Sequence, residues 1–291
     1  MITHVGVVGA GTMGVGVSQA FAAGGLRVTL VDIAESVLDT ARGRIDLDSK
    51  MATMFGGPSA DGVLDRIAFT TDLTALATAE FVVENVTEDP ELKVGVYRDL
   101  DMICPPGCVF GVNTSAIPIT RIAGHTNRPD RVIGTHFMNP AQLKPMVEVI
   151  RAFHTSQQTV DLTVELLAAI GKESAVVGDS PGFVTNRVAM LTVNEAICLL
   201  EEGVAPAAEI DRLFVRCFGH RMGPLATADL IGLDTVLYSL NVLLDNFNDP
   251  KFRPAQLLRR YVDAGLLGRK SGRGFFTYTD TPAPRGAGAS A

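Results

Sequence analysis

Two groups of residues in this 291-residue chain have the types and spacing to do chemistry together. The first is Gly9-Ala10-Gly11-Thr12-Met13-Gly14, a G-x-G-x-x-G run that follows an apolar strand pattern and opens a helix of small residues. Gly9 would permit the tight turn, Gly11 would let the backbone approach a pyrophosphate, and Gly14 would let the helix pack on the strand. The first helical turn, with Thr12 and Met13, would present free N–H groups and partial positive charge to phosphates. Asp32 closes the next strand pattern, where it can accept hydrogen bonds from an adenosine ribose. Ile33 and Ala34 follow it, so a 2′-phosphate would meet uncompensated repulsion, and NAD is expected rather than NADP.

A dinucleotide site implies hydride transfer, and oxidising an alcohol also needs a base for the hydroxyl proton. A histidine suits this task when a carboxylate on its other nitrogen fixes the tautomer and stabilises the imidazolium. Five histidines are available: His4, His125, His136, His154 and His220. His136 ends an apolar strand pattern, precedes Phe137-Met138-Asn139-Pro140, and has Glu148 on the next strand pattern. The other four read as surface or structural residues. The four cysteines, Cys104, Cys108, Cys198 and Cys217, are too few and too scattered for a disulfide framework. No histidine or second cysteine pair completes a zinc site with Cys104 and Cys108, so reduced thiols and no metal are expected.

The elements that must position these residues follow from the apolar pattern. Residues 4–9, 27–32, 81–84 and 109–112 read as buried strands separated by helical stretches, which implies a mostly parallel sheet covered on both faces. Residues 131–137 and 146–150 read as late strands on either side of a loop, and residues 157–171 as a helix ending at Gly171. Between Ala34 and Asp72 the strand signal disappears, and a helical hairpin turning at Gly56-Gly57-Pro58-Ser59 is expected. From Phe183 to Leu267 the periodicity is helical, with breaks at Gly203, Gly223-Pro224 and Asn248-Asp249-Pro250.

The expected fold is therefore α/β. A Rossmann-type NAD-binding domain with a helical hairpin insertion spans residues 1–181, an all-helical domain spans 182–280, and a Pro/Gly/Ala-rich tail over 281–291 is expected to be disordered. Along one helix, Leu191, Ala196, Ile197, Leu199 and Leu200, followed by the Leu225–Leu244 run, offer more apolar surface than a small bundle needs. A homodimer through this domain is expected.

Composition narrows the class. Hydrophobic residues make up 47% of the chain and charged residues 20%, enough apolar material for a substantial core. The net charge of −7 argues against a nucleic-acid partner, which would need a basic surface. Glycines interrupt the apolar stretch at residues 5–25 and no Lys or Arg precedes it, unlike a secretory signal. With no run of about twenty apolar residues elsewhere, a cytoplasmic protein without a membrane span is expected.

Several separate motifs resemble the 3-hydroxyacyl-CoA dehydrogenase family over roughly residues 3–279. His136-Phe137-Met138-Asn139-Pro140 followed by Val147-Glu148-Val149-Ile150 resembles the family's catalytic segment. Ser180-Pro181-Gly182-Phe183-Val184-Thr185-Asn186-Arg187 is similar to its domain-junction motif. Ala228-Asp229-Leu230-Ile231-Gly232-Leu233-Asp234 and Gly268-Arg269-Lys270-Ser271-Gly272-Arg273-Gly274-Phe275 look like its C-terminal signatures.

The resemblance implies NAD-dependent oxidation of a short (3S)-3-hydroxyacyl thioester, of the 3-hydroxybutyryl-CoA kind. It implies His136 as general base, Glu148 as its orienting carboxylate, Ser115 as a donor to the reacting oxygen, and Asn186 as a residue holding substrate and histidine. It further implies that Glu88, Lys93, Ser115, Asn139 and Lys270 line the NAD pocket.

Two departures concern the substrate. The stretch Ala34–Asp72 offers only Arg42, Arg44, Lys50 and Arg66 against seven acids, where relatives that use coenzyme A carry several lysines. Lys50, with Arg42 and Arg44, is the expected contact to coenzyme A. The residues after His136 also differ from the family pattern, which places a second Phe at 138 and a Met-Lys-Leu run before the glutamate. Both departures admit a thioester on an acyl carrier protein, as in relatives that make hydroxymalonyl-type extender units. Two other readings stay open: oxidation of a free 3-hydroxy acid, and NAD binding without turnover.

Overall fold

Short runs rich in valine and other β-branched residues build the centre of a sheet, because such side chains pack well when both faces are covered. The computed structural model describes residues 2–54 and 62–278, with backbone only for 52–54. The chain divides into two units, Met1–Ser180 and Pro181–Ala291.

In the first unit, β1 (His4–Val8), α1 (Thr12–Ala23) and β2 (Arg27–Val31) form a β-α-β unit, and α2 (Glu35–Met54) follows. The chain continues through β3 (Ile67–Thr70), β4 (Phe81–Glu84), α3 (Pro90–Ile103), β5 (Val109–Val112), α4 (Ile119–Ala123) and β6 (Val132–Phe137). It closes with β7 (Met146–Arg151), α5 (Gln157–Ala169) and β8 (Glu173–Gly178). These strands form one eight-stranded sheet in the order β3-β2-β1-β4-β5-β6-β7-β8. Every neighbouring pair is parallel except β6 and β7.

Strand order reverses between β1 and β4, so the chain segments leaving the carboxyl ends of the strands part there and open a crevice. Because β1, β2, β4, β5 and β6 all run the same way, Gly9, Asp32, Asn85, Asn113 and His136–Phe137 reach one edge of the sheet. β7 runs against them and begins at that edge, so its early residues Val147 and Glu148 join the same group.

Local chemistry fixes the helix starts. Asp89 caps α3 by accepting from the Leu92 N–H at 2.9 Å, with Pro90 in the first turn, and Ser156 caps α5 by accepting from Thr159 at 3.1 Å. α1 begins at Gly11 with no side-chain cap, which leaves its first N–H groups for another acceptor.

The structure corrects the expectation for Ala34–Asp72. The expected turn at Gly56–Ser59 lies outside the described residues, as does the tail over 281–291. Beyond it the chain makes a 3-10 turn at Leu64–Arg66 and then the strand β3, not a second helix. β3 is a four-residue edge strand with one buried side chain, and Ile67-Ala68-Phe69 is too short a run to stand out as a strand. β8 was also absent from the sequence reading. Its side chains are exposed or half-buried, so it lacks the apolar signature of the central strands.

The second unit packs α6 (Thr185–Glu201), α7 (Ala207–Phe218), α8 (Pro224–Ile231), α9 (Leu233–Phe247) and α10 (Gln256–Asp263) around one core. Breaks fall at Gly203, Gly223 and Asn248 as expected, with a further one at Gly232. Asp229 is buried and accepts from the Phe275 and Phe276 N–H groups and from the Tyr278 hydroxyl. It thereby ties the two C-terminal motifs into one structure.

The apolar row that suggested a dimer is largely consumed here. Ala196 and Ile197 are buried in this unit's own core with Leu225, Leu233, Val236, Leu240 and Leu243, and Leu191, Leu199 and Leu200 pack against it. The exposed apolar residues are others, among them Leu213, Phe218 and Leu230. No single helix among the described residues is long and apolar enough to cross a membrane.

Candidate active site

The antiparallel pairing of β6 and β7 sets His136 directly opposite Glu148. Residues facing each other in this way bring their Cβ atoms to roughly 5 Å, within reach of a direct side-chain contact. His136 Nδ1 lies 2.8 Å from Glu148 Oε2, and both residues are buried. A carboxylate only accepts, so in this pairing Nδ1 donates and Nε2 is the ring's acceptor. On that side the Ser115 hydroxyl lies 3.1 Å from Nε2. The row Glu148–His136–Ser115 can therefore take a proton at Nε2 and balance the resulting charge at Nδ1.

Ser115 is itself held from behind. Its N–H donates to Glu88 Oε1 at 3.1 Å, and the Thr114 hydroxyl donates to the same oxygen. Asn113 at the end of β5 accepts from the Phe137 N–H at 3.2 Å and donates to Asn85 Oδ1 at 2.6 Å. Asn85, Asn113 and Thr114 were not assigned roles from sequence. Their signal is positional: Asn85 and Asn113 directly follow the carboxyl ends of central strands, and Thr114 is next along the chain.

Lys93, which the resemblance places in the NAD pocket, is fully buried, and its ammonium donates to Glu84 Oε1 and Oε2 at 2.8 and 3.0 Å. Burial pushes the Glu84 carboxyl up from its ordinary range, while Lys93 and the Val86 N–H at 2.6 Å hold it down.

The nucleotide edge can accept a dinucleotide. Gly9 has φ +91, which L side chains rarely adopt. A Cβ on Gly14 would lie 1.7 Å from the Gly9 carbonyl oxygen, so the helix can approach the turn only with glycine there. Nothing stands within 4 Å of where a Cβ on Gly11 would be, leaving open space beside the uncapped start of α1 at Thr12 and Met13. The Asp32 carboxylate accepts from Ala10 N–H at 2.7 Å and Ala34 N–H at 3.3 Å, which fixes it at the end of β2. These residues fit a bound NAD.

The remaining expected residues are dispersed. Asn139 is exposed in the loop after β6. Lys50, on α2, pairs with Asp46 at 2.6 Å on the surface. Asn186 and Lys270 belong to the second unit, where Asn186 lies in the first turn of α6 and Lys270 donates to Asp234 at 2.6 Å. Arg187 stacks over Phe247 at 4.2 Å, giving that part of the junction motif a packing role.

His4 is buried, with its ring nitrogens bonded to Thr29 and Thr78, while His125, His154 and His220 are exposed.

Comparison with known proteins bears on this arrangement. The family profile described as 3-hydroxyacyl-CoA dehydrogenase, NAD binding domain, matches residues 4–180, and that of the C-terminal domain matches residues 182–278. A probable 3-hydroxybutyryl-CoA dehydrogenase of Bacillus subtilis is 42% identical, over 96% of this chain and 98% of the relative. A 3-hydroxybutyryl-CoA dehydrogenase of Mycobacterium tuberculosis is 38% identical over 95% of this chain and 99% of the relative. The crystal structure of (S)-3-hydroxybutyryl-CoA dehydrogenase from Ralstonia eutropha superposes with a TM-score of 0.92. It is 41% identical and covers 96% of this chain and 100% of that one. Matched in both of its regions and at this identity over nearly its full length, the chain belongs to the 3-hydroxyacyl-CoA dehydrogenase family.

Proposed function

We propose that the protein oxidises the 3-hydroxyl of a short (3S)-3-hydroxyacyl-CoA, of the 3-hydroxybutyryl kind, to the 3-oxo thioester with NAD as acceptor. The observation that carries this reading is the Glu148–His136–Ser115 row at the sheet edge that also bears the glycine turn and Asp32.

Bound NAD supplies the acceptor for the hydride leaving C3. His136 Nε2 takes the hydroxyl proton, so both bonds lost by the alcohol are accounted for and the C=O bond forms. Glu148 fixes the tautomer in which Nε2 is the acceptor and counters the imidazolium charge. Ser115 donates its hydroxyl to the substrate oxygen as negative charge develops there. In reduction the same imidazolium returns the proton. The start of α1 and Asp32 would hold pyrophosphate and ribose, and Glu88 and Asn139 are assigned to the cofactor pocket by motif. Asn186 and Lys270 are assigned to substrate and cofactor by motif.

A second reading replaces coenzyme A by an acyl carrier protein. It is favoured by the charge of α2, where Glu35, Asp39, Asp46 and Asp48 outnumber Arg42, Arg44 and Lys50. Arg42 lies over the Phe69 ring at 4.5 Å, and the exposed Lys50 shares its charge with Asp46 four residues before it. The two readings separate on NADH oxidation with acetoacetyl-CoA, with the same acyl group on a carrier protein, and with free acetoacetate. Strong turnover with acetoacetyl-CoA supports the first reading. A near-dead rate with it, beside rapid turnover of the carrier-bound group, supports the second.

The protein is assigned to the cytoplasm as a homodimer. The second unit supports this assembly with exposed Leu213, Phe218 and Leu230, of which Phe218 is 70% exposed. Sedimentation at increasing concentration tests it.

A further inference from the structure

We propose that Lys172 is a positioning residue for the turn joining the two catalytic strands, and that it acts on turnover through Asn139 at the start of that turn. The inference rests on the reading of His136, Glu148 and Asn139 given above.

β6 ends at Phe137 and β7 begins at Met146, so residues 138–145 link the strand of His136 to the strand of Glu148. The turn within this link closes on Pro140, whose carbonyl accepts from the Leu143 and Lys144 N–H groups at 3.0 Å each. A single turn of this kind leaves its later carbonyls in need of donors from elsewhere. Lys172 supplies them. Its ammonium donates to the carbonyls of Ala141 at 2.9 Å, Gln142 at 3.1 Å and Lys144 at 2.7 Å. Three protons thus meet three acceptors, all on one turn. The Glu173 N–H adds a bond to the Pro145 carbonyl at 2.8 Å, which ties the end of the link to the start of β8.

The same turn presses onto α1. A Cβ on Gly16 would lie 2.6 Å from Gln142 Oε1, 3.2 Å from the Ala141 Cβ and 3.3 Å from the Ala141 nitrogen. α1 therefore holds the turn by packing and Lys172 holds it by hydrogen bonds. Asn139 immediately precedes this anchored segment and lies three residues after His136, so its place at the sheet edge follows from where the turn is held.

The charge on Lys172 needs a reason. The residue is 9% exposed, and burial lowers its ammonium below the ordinary lysine range. The acceptors on its three protons are neutral carbonyls, not a carboxylate. A hydrocarbon side chain would fill the same space without that desolvation cost. Shaping the turn accounts for a cation here, and filling the core does not.

The test compares Lys172→Met, Asn139→Ala and both changes together. Each is followed by single-turnover loss of NADH absorbance and by fluorescence titration with NADH. The substrate is acetoacetyl-CoA, or the carrier-bound acyl group if wild-type protein turns over only that. Methionine keeps the length of the stem and drops the charge. Positioning predicts that Lys172→Met slows the turnover roughly tenfold or more. NADH affinity should stay within about threefold of wild type, because Asp32 and the start of α1 are unchanged. In the Asn139→Ala background the lysine change should have less than about a threefold further effect. Lys172→Arg, which keeps the charge and its donors, should be slowed less than Lys172→Met.

A Lys172→Met protein at the wild-type rate would overturn the inference, and so would a loss repeated in full without Asn139. An unchanged rate beside a loss of NADH affinity of about tenfold or more would overturn it too. Asn139→Ala at the wild-type rate would remove the assignment of Asn139, and this inference with it, while leaving His136 and Glu148 in place. Wild-type protein inert toward both thioesters would end the reading of the whole site, which is a distinguishable result. Should Lys172→Met not fold, Lys172→Gln, which keeps one donor group, replaces it under the same coupling criterion.

Discussion

Replacing Glu148 with glutamine removes one charge and almost no volume, so its effect can be worked from the geometry. The carboxylate and the imidazole are buried with 2.8 Å between Oε2 and Nδ1, which puts the two charge centres about 4 Å apart once the ring is protonated. At an effective dielectric of about 20 that attraction is worth about 4 kcal/mol. A transition state with the proton half transferred feels about half of it, or about 2 kcal/mol. Glutamine adds a second penalty. Its NH2 can turn toward Nδ1 and favour the tautomer protonated at Nε2, which cannot accept the substrate's proton; this costs about 1–2 kcal/mol more. At about 1.4 kcal/mol per factor of ten, kcat should fall roughly 100- to 1,000-fold. The assay is NAD reduction with saturating (S)-3-hydroxybutyryl-CoA, the direction in which His136 accepts the proton, alongside NADH fluorescence titration, in which affinity should stay within about twofold because Glu148 acts through the His136 ring. A variant retaining more than about a third of wild-type kcat would refute the argument that this carboxylate supports the proton transfer.

Other outcomes follow from the same geometry. Asp32, fixed by two backbone N–H groups with no cation at Ile33 or Ala34, should make NADH preferred over NADPH by roughly 100-fold or more in kcat/KM. Asp32→Ala should shrink that ratio below about tenfold, as steady-state kinetics with both cofactors will show. Gly14→Ala would push a Cβ to 1.7 Å from the Gly9 carbonyl oxygen, so α1 must shift. About 1–3 kcal/mol of stability by urea melt and tenfold or more in NADH affinity should be lost. His4 is held below the ordinary histidine range, first by burial. The unfolded chain then binds the proton more readily, so this contribution is complete above about pH 6.5 and is lost as pH falls below it. The thermal midpoint of His4→Gln should decline less between about pH 7 and pH 5 than that of wild type; an equal decline would rule His4 out.

Much of this fold can be read along the chain, and the exceptions have physical causes. β1, β2, β4, β5, β6 and β7 announce themselves because a strand covered on both faces must be apolar throughout or nearly so. β3 and β8 sit at the two edges, where one side of each strand is unpaired and side chains need not be buried, so no such pattern marks them. His136 and Glu148 were paired by motif, and the register of β6 on β7 supplies the reason for their spacing. Burial of Lys93 was illegible, since a lysine in a polar helix is ordinarily solvated and only the fold shows the acceptors converging on it. The apolar row on α6 shows a related limit: sequence reveals that a face is apolar, but not whether it meets the same chain or another.

The proton-transfer role of His136 is most directly measured in a single turnover. Wild-type protein and His136→Gln are preloaded with NADH, mixed rapidly with acetoacetyl-CoA, and followed by loss of NADH absorbance. Removal of the imidazole that gives the proton in this direction should slow that step by roughly 100-fold or more while NADH affinity stays nearly intact. A His136→Gln protein that transfers hydride at the wild-type rate would contradict the account.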